Sequence, residues 1–220
     1  MPIFIGCMPR SGSSLLRVIL NSHPNISAGP EYKWMELSNP IEKLCSIEKL
    51  CNIEKLCNKI YVNKTPKNLS KKSLKLLESN FNNFKFVVIA RNARDIACSY
   101  LKSINPRNFA KSEFLKDAKI AIDGYEYLKN TGINYYKITY EDLVNNTEES
   151  ISKLCKYLEI NQHNDMMAHH KKKHEIVDHH SDKNAIKPIF KNSLNQYDKY
   201  KNLFDKEIEE ECDRLNKVFF

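Results

Sequence analysis

Two clusters of residues in this 220-residue chain have the types and spacing to bind anions. The first is Gly6-Cys7-Met8-Pro9-Arg10-Ser11-Gly12-Ser13-Ser14, which joins an apolar run to a helical pattern. Backbone N–H groups at the start of such a helix point outward, and the helix dipole favours negative charge there. Gly12 lets the backbone approach a ligand closely. Ser11, Ser13 and Ser14 add hydroxyl donors, and Arg10 adds a charged fork. With Pro9 setting the turn, the segment reads as a phosphate cradle; the competing reading is an ordinary strand-to-helix turn with a serine N-cap. It is not a Walker A loop, because Ser13 stands where that pattern needs Lys after the second glycine. The second cluster is Arg91-Asn92-Ala93-Arg94-Asp95-Ile96-Ala97-Cys98-Ser99. It follows the strongest strand candidate, so Arg91 lies at a strand's carboxyl end, where open α/β sheets bind ligands. Ser99 is eight residues further on, about two helical turns, and shares a face with the helix start. Two separated phosphate sites imply a nucleotide phosphorylated at both ends.

The elements that must position these residues follow from the hydrophobic pattern. Pro2–Cys7 reads as a strand, and the apolar positions Leu15, Leu16, Val18, Ile19 and Leu20 as a helix ending near His23-Pro24. Phe84–Ala90 is the strongest strand, followed by a helix with Ile96, Ala97, Tyr100 and Leu101 on one side, stopping before Pro106. Lys111–Leu128 and Thr147–Leu158 read as helices and Ile133–Ile138 as a third strand. Strand, turn and helix repeating with apolar strands predict an α/β fold: a P-loop-like central parallel sheet flanked by helices, in a single domain spanning 1–220. A chain of this length buries roughly 70% of its unfolded surface and needs no covalent staple.

Composition narrows the function. With 35 Lys and Arg against 27 Asp and Glu, the net charge is +8 and the pI about 9.0. That excess suits a polyanion or a phosphorylated small molecule, and equally a Lys- and Asn-rich composition with no specific partner. No reading module or aromatic–basic interleaving points to nucleic acid. No apolar run approaches the length of a membrane span. The opening Met-Pro-Ile-Phe-Ile-Gly-Cys lacks the charged and apolar regions of a signal peptide. The 7 cysteines form no CxxC pair, Cys7 and Cys98 sit in apolar contexts that read as buried, and a reducing compartment is expected. Residues 41–58 repeat a hexad, Ile-Glu-Lys-Leu-Cys-Ser/Asn. Six residues of helix advance about 600°, so successive copies turn by about 120° and build no single stripe, which marks a tandem insertion in a tolerant segment. His170 and His174 stand four apart and could share a zinc on a helix face. Three intervening Lys oppose that, no metal is expected, and 165–183 reads as a flexible, solvated basic loop.

The pair Pro9-Arg10-Ser11-Gly12-Ser13-Ser14 and Arg91…Ser99 resembles the 5′- and 3′-phosphate sites of the PAPS-dependent sulfotransferases, PAPS being 3′-phosphoadenosine 5′-phosphosulfate. Within that superfamily the chain is most similar to the tyrosylprotein sulfotransferase branch. Leu20-Asn21-Ser22-His23-Pro24 resembles its Leu-x-x-His-Pro stretch. Gly29-Pro30-Glu31-Tyr32-Lys33 resembles its Gly-Glu-Glu-Thr-Arg, which implies that Glu31 is the catalytic base. Asn63-Lys64-Thr65-Pro66 resembles its Asn-Lys-Asp-Pro, which implies that Lys64 is the active-site lysine. Tyr140-Glu141-Asp142-Leu143-Val144 resembles its Tyr-Glu-Gln-Leu-Val, with Tyr140 near the nucleotide, and Ser181-Asp182-Lys183-Asn184-Ala185-Ile186-Lys187-Pro188 its Ser-Asp-Gln-Val-Ile-Lys-Pro, with Ser181 a nucleotide contact. The resemblance runs from Ile3 to about Tyr197, and its strength lies in the shared order of the motifs.

The resemblance implies transfer of a sulfuryl group from PAPS to an acceptor hydroxyl on a peptide or glycan. Protein tyrosine is the first acceptor, a carbohydrate hydroxyl the second, and a P-loop nucleotide kinase the more distant alternative. Glu31 would take the acceptor's proton, and Lys64 and Arg10 would stabilise the bridging oxygen and the leaving phosphate. The product would be adenosine 3′,5′-bisphosphate (PAP). The sequence departs from the branch in three places. Gln196 replaces the lysine before the aromatic Tyr197. The interval from Glu31 to Lys64 is shorter and holds the hexads. Ala28 and Val62 replace the cysteines that form a disulfide beside the Glu31 and Lys64 motifs. With no anchor in the sequence, a cytoplasmic protein is expected, or one of the Golgi lumen if the chain is truncated; a homodimer is the assembly considered. Sequons at Asn25, Asn63, Asn68 and Asn145 read as chance matches in an Asn-rich chain.

Overall fold

Five parallel strands in the order β2-β3-β1-β4-β5 form the centre of the computed structural model, which describes residues 1–29, 59–103, 111–174 and 180–220. They are β1 (Ile3–Cys7), β2 (Ile26–Ser27), β3 (Ile60–Lys64), β4 (Lys85–Ala90) and β5 (Tyr135–Thr139). The central pair β1 and β4 is almost wholly apolar, as strands covered on both faces must be. They register as Phe4 with Phe86 and Cys7 with Ile89. Alternation along the two strands then feeds two cores. Phe4, Phe86 and Val88 pack against Leu74, Phe114 and Ile122, while Ile3, Ile5, Val87 and Ile89 pack against Leu16, Ile19 and Leu154.

The helices of the described residues are α1 (Ser13–Asn21), α2 (Lys71–Asn80), α3 (Ala93–Ser103), α4 (Lys111–Lys129), α5 (Tyr140–Asn145), α6 (Thr147–Leu158), α7 (Asn164–Met167), α8 (His180–Ala185), α9 (Tyr197–Tyr200) and α10 (Lys206–Phe219). Their order confirms the predicted α/β architecture. Each of β1 and β4 ends in a turn and feeds a helix, α1 and α3, so the two chemistry-bearing loops lie side by side at the carboxyl edge of the sheet.

Two strands escaped the sequence reading. β2 has two residues, and β3 ends in the polar Asn63 and Lys64, so neither carries a strong apolar run. Beyond the ladder, the Asn68 side chain joins β1 to β3: its Nδ2 donates to the Ile5 carbonyl (3.0 Å) and to Asn63 Oδ1 (2.9 Å). Helix α4 comes so close to the adjoining turn that a Cβ on Gly124 would lie 1.4 Å from the Leu69 carbonyl oxygen, and only glycine fits.

The expectation of a solvated loop over 165–183 does not hold for its described residues. Met166 and His169 are buried, α7 and α8 bracket the segment, and His169 Nε2 donates to the Lys187 carbonyl (3.1 Å). Lys171, Lys172 and Lys173 are exposed, so the described residues there set a charged outer face over a buried inner one. Cys7 and Cys98 are buried thiols, as are Cys155 and Cys212, whose pKa values burial pushes up to about 11 and about 12. The hexads at 41–58 lie outside the described residues.

Candidate functional site

The loop after β1 has the backbone that a close anion approach demands. Arg10 has φ 70° and Gly12 φ 92°, two left-handed residues separated by Ser11. Ser11 braces the turn through its hydroxyl, which donates to the Met8 carbonyl (2.7 Å). The N-cap of α1 is Gly12, and no side chain caps this helix. The serine-capped turn, the competing sequence reading, is therefore not what forms. The first-turn N–H groups at Ser13 and Ser14 keep their positive end of the helix dipole open to a ligand. Pro9 sits in the turn ahead of them, half-buried.

Arg10 does not stay over its own loop. Its Nε donates to Ser99 Oγ on α3 at 3.0 Å. The sequence reading put Arg10 on one phosphate and Ser99 on another, and the fold joins the two directly. Burial lowers the Arg10 pKa and nearby Arg91 lowers it further, with Tyr100 acting the other way. Arginine still stays charged, so two guanidinium groups share one partly desolvated corner, an arrangement that an arriving anion relieves.

Arg91 is 7% exposed and ties three elements together. One terminal nitrogen donates to the Arg10 carbonyl (2.9 Å), and the other donates to the Ser193 carbonyl. Its guanidinium lies over the Tyr140 ring, 4.4 Å from the centroid. Its Nε, also buried, has no acceptor among the described residues. Tyr140 touches the other loop as well: a Cβ on Gly12 would stand 2.3 Å from its Cδ2. The buried Tyr140 ring is thus the floor on which both loops rest.

Lys64 is 6% exposed at the carboxyl end of β3, in register with Ile5 of β1, and so faces the same sheet edge. Ser181 lies in α8, which packs against α1. Glu31 lies outside the described residues, but the chain leading to it is held. Arg17, 1% exposed, donates from one terminal nitrogen to the carbonyls of Ala28 (3.2 Å) and Gly29 (3.3 Å). Arg17 escaped the sequence reading, although a lone arginine inside Leu-Leu-Arg-Val-Ile-Leu was a signal that it had a buried partner. His23 is likewise buried: its Nδ1 accepts the Asn25 N–H (3.1 Å) and its Nε2 donates to the Asn161 carbonyl (2.9 Å). Of the two histidines weighed as zinc ligands, His174 uses both ring nitrogens, on Asn21 and on the His169 carbonyl. Asn63 and Asn68 are almost wholly buried, so their sequons are out of reach in the folded chain.

Comparison with known proteins places this geometry. Residues 1–217 match the sulfotransferase domain family, and the chain belongs to it. A Caenorhabditis briggsae protein, named provisionally as a protein-tyrosine sulfotransferase, is 24% identical over 200 residues, covering 80% of this chain and 70% of that protein. The sulfotransferase domain of the Synechococcus PCC 7002 olefin synthase superposes with a TM-score of 0.77 at 17% identity, over 99% of this chain and 94% of that one. A mouse sulfotransferase, SULT7A1, complexed with PAP, superposes with a TM-score of 0.64 at 20% identity, over 97% and 81%. The protein is a sulfotransferase by family and by fold. Among the described residues no helix is long and apolar enough to cross a membrane.

Proposed function

We propose that the chain transfers the sulfuryl group of PAPS to an acceptor hydroxyl, with protein tyrosine as the acceptor. The observation that carries the donor assignment is the meeting of Arg10, Ser99 and Arg91 over the Tyr140 floor. Two cations and a hydroxyl converge there beside an uncapped helix start, and a donor with phosphates at both ends matches that pairing. The PAP complex of the mouse sulfotransferase agrees with such a nucleotide. The tyrosine acceptor rests on the motif order around Glu31 and Lys64 and on the C. briggsae relative.

The chemistry is an in-line displacement. The acceptor oxygen forms a bond to sulfur as the bond from sulfur to the bridging phosphate oxygen breaks. The acceptor's proton passes to the Glu31 carboxylate, and the electron pair leaves with PAP. Lys64 and Arg10 stabilise charge on the departing oxygen. Pro9, Ser11, Gly12, Ser13 and Ser14 hold the 5′ side, Arg91 and Ser99 hold the 3′ side, and Tyr140 and Ser181 are further nucleotide contacts. Positioning and charge stabilisation supply most of the rate, as in phosphoryl transfer. The test is incubation with sulfur-labelled PAPS and panels of tyrosine peptides and glycans. Label on tyrosine peptides is expected; label on glycans alone moves the acceptor to a carbohydrate hydroxyl, and tight binding of ATP in place of PAP returns the kinase reading.

A further inference from the structure

Asp95 is 4% exposed in the first turn of α3, and both its carboxylate oxygens are used. One accepts the Asn195 N–H (2.9 Å) and the other the Gln196 N–H (2.7 Å). Asn195 is left-handed (φ 54°) and Gln196 right-handed (φ −83°, ψ −12°), which turns two successive N–H groups to one side. Such a pair makes an anion-binding concavity, filled here by the protein's own carboxylate. Two residues earlier, the Ser193 carbonyl accepts from Arg91. One residue later, Tyr197 lies under Arg94 and donates to Glu209 (2.5 Å). The Gln196 side chain, at the position where the resembling branch carries lysine, turns back to donate to the Leu194 carbonyl (3.0 Å).

We propose that Asp95 is a positioning residue for the donor site: by clasping the Asn195–Gln196 turn it presents the Ser193 carbonyl to Arg91 and so holds that guanidinium in one orientation. The proposal rests on the reading of Arg91 as a donor contact. A guanidinium braced between the Arg10 and Ser193 carbonyls loses less freedom on meeting a phosphate than a free one. The turn's contribution then runs through backbone and Arg91 and requires no lysine at position 196.

The test measures PAP affinity by calorimetry and amide hydrogen exchange at Asn195 and Gln196 in the full chain, for wild type, Asp95→Ala and Asp95→Asn. Asp95→Asn keeps one acceptor oxygen and sets an amide N–H against the other donor. PAP affinity is expected to fall tenfold or more in Asp95→Ala and by a smaller factor in Asp95→Asn, with faster exchange at both amides. The discriminating variant is Asp95→Ala combined with Arg91→Ala. Because Asp95 acts through Arg91, its PAP affinity should match Arg91→Ala alone within about twofold, whereas independent damage would add. Should Asp95→Ala fail to fold, Asp95→Asn enters the same cycle. Unchanged affinity, unchanged amide exchange or full additivity overturns the clasp. Wild type that binds no PAP overturns the donor reading and the clasp with it, so the two failures are distinguishable.

Discussion

Arg91 is both a ligand candidate and a strut, and the two roles predict different substitution patterns. Its two terminal nitrogens hold the Arg10 and Ser193 carbonyls, and its face covers Tyr140. A charge-assisted hydrogen bond contributes about 1.5–3 kcal/mol. Arg91→Ala should therefore weaken PAP binding tenfold or more, and Arg91→Lys should recover little of it, because a point charge cannot bridge two carbonyls. Ser99→Ala removes the hydroxyl that accepts from the charged Arg10 and orients it, so a loss of about tenfold is expected from a bond of roughly 1.5–3 kcal/mol. Calorimetry with PAP measures these; an Arg91→Ala variant with wild-type affinity takes Arg91 out of the donor site. On the proposed mechanism Glu31 acts in the chemical step. Glu31→Gln keeps shape and polarity but cannot take a proton, so kcat should fall by roughly 10² or more while PAP affinity stays within about threefold. Turnover at the wild-type rate would send the search for the base elsewhere. The types and spacing of Arg10, Arg91 and Ser99 made these residues legible in the sequence. Asp95 was not, because its partners lie a hundred residues downstream and nothing local to Asp95 announces them.

At the level of elements, what the sequence revealed followed burial on both faces. β1 and β4 are continuous apolar runs, and their reading as strands held to within a residue or two. β5 was placed early, at Ile133 in place of Tyr135, because a half-exposed strand has a weaker apolar signature at its start. β3 was missed since the polar Asn63 and Lys64 break its pattern at the carboxyl edge of the sheet. Asn68 makes up for that break. Its amide reaches Ile5 on one strand and Asn63 on the other, where the β1–β3 ladder runs out. Asn68→Ala leaves buried polar groups without that partner, at a cost of about 1–3 kcal/mol. For a chain this long, each kcal/mol lowers Tm by roughly 2–4 °C. Because the lesion sits beside Lys64, kcat should fall more than PAP affinity does. A variant with both Tm and kcat unchanged would show that the strands hold their spacing without this side chain.

Across the whole molecule, a hydrogen-bonded chain through histidines joins segments far apart in sequence over the α1 side of the sheet. His169 donates to the Lys187 carbonyl, and the His169 carbonyl accepts from His174 Nε2 (2.7 Å). His174 Nδ1 faces Asn21 Nδ2 (3.4 Å), whose Oδ1 accepts the Ala28 N–H (2.8 Å). The chain therefore connects α7 and α8 to the strand exit that leads toward Glu31. Burial lowers the pKa of His169, and the neighbouring His170 and His174 lower it further. The sign follows from linkage. A histidine whose folded pKa lies below its unfolded value of about 6.5 is held neutral by the fold, while the unfolded chain takes up the proton first. Stability is thus fully present above about pH 6.5 and declines as pH falls from there toward the folded pKa. Carboxylates whose pKa values are lowered, Asp165 beside Lys172 and Asp205 beside Lys111, titrate below this window and leave it clear. Tm measured from pH 7.5 to 5.0 should fall as acidity increases. His169→Gln, which keeps a side-chain N–H for the Lys187 carbonyl but cannot titrate, should flatten that decline even if it lowers Tm at pH 7.5. An unchanged slope in His169→Gln would mean that groups other than His169 carry the acid sensitivity.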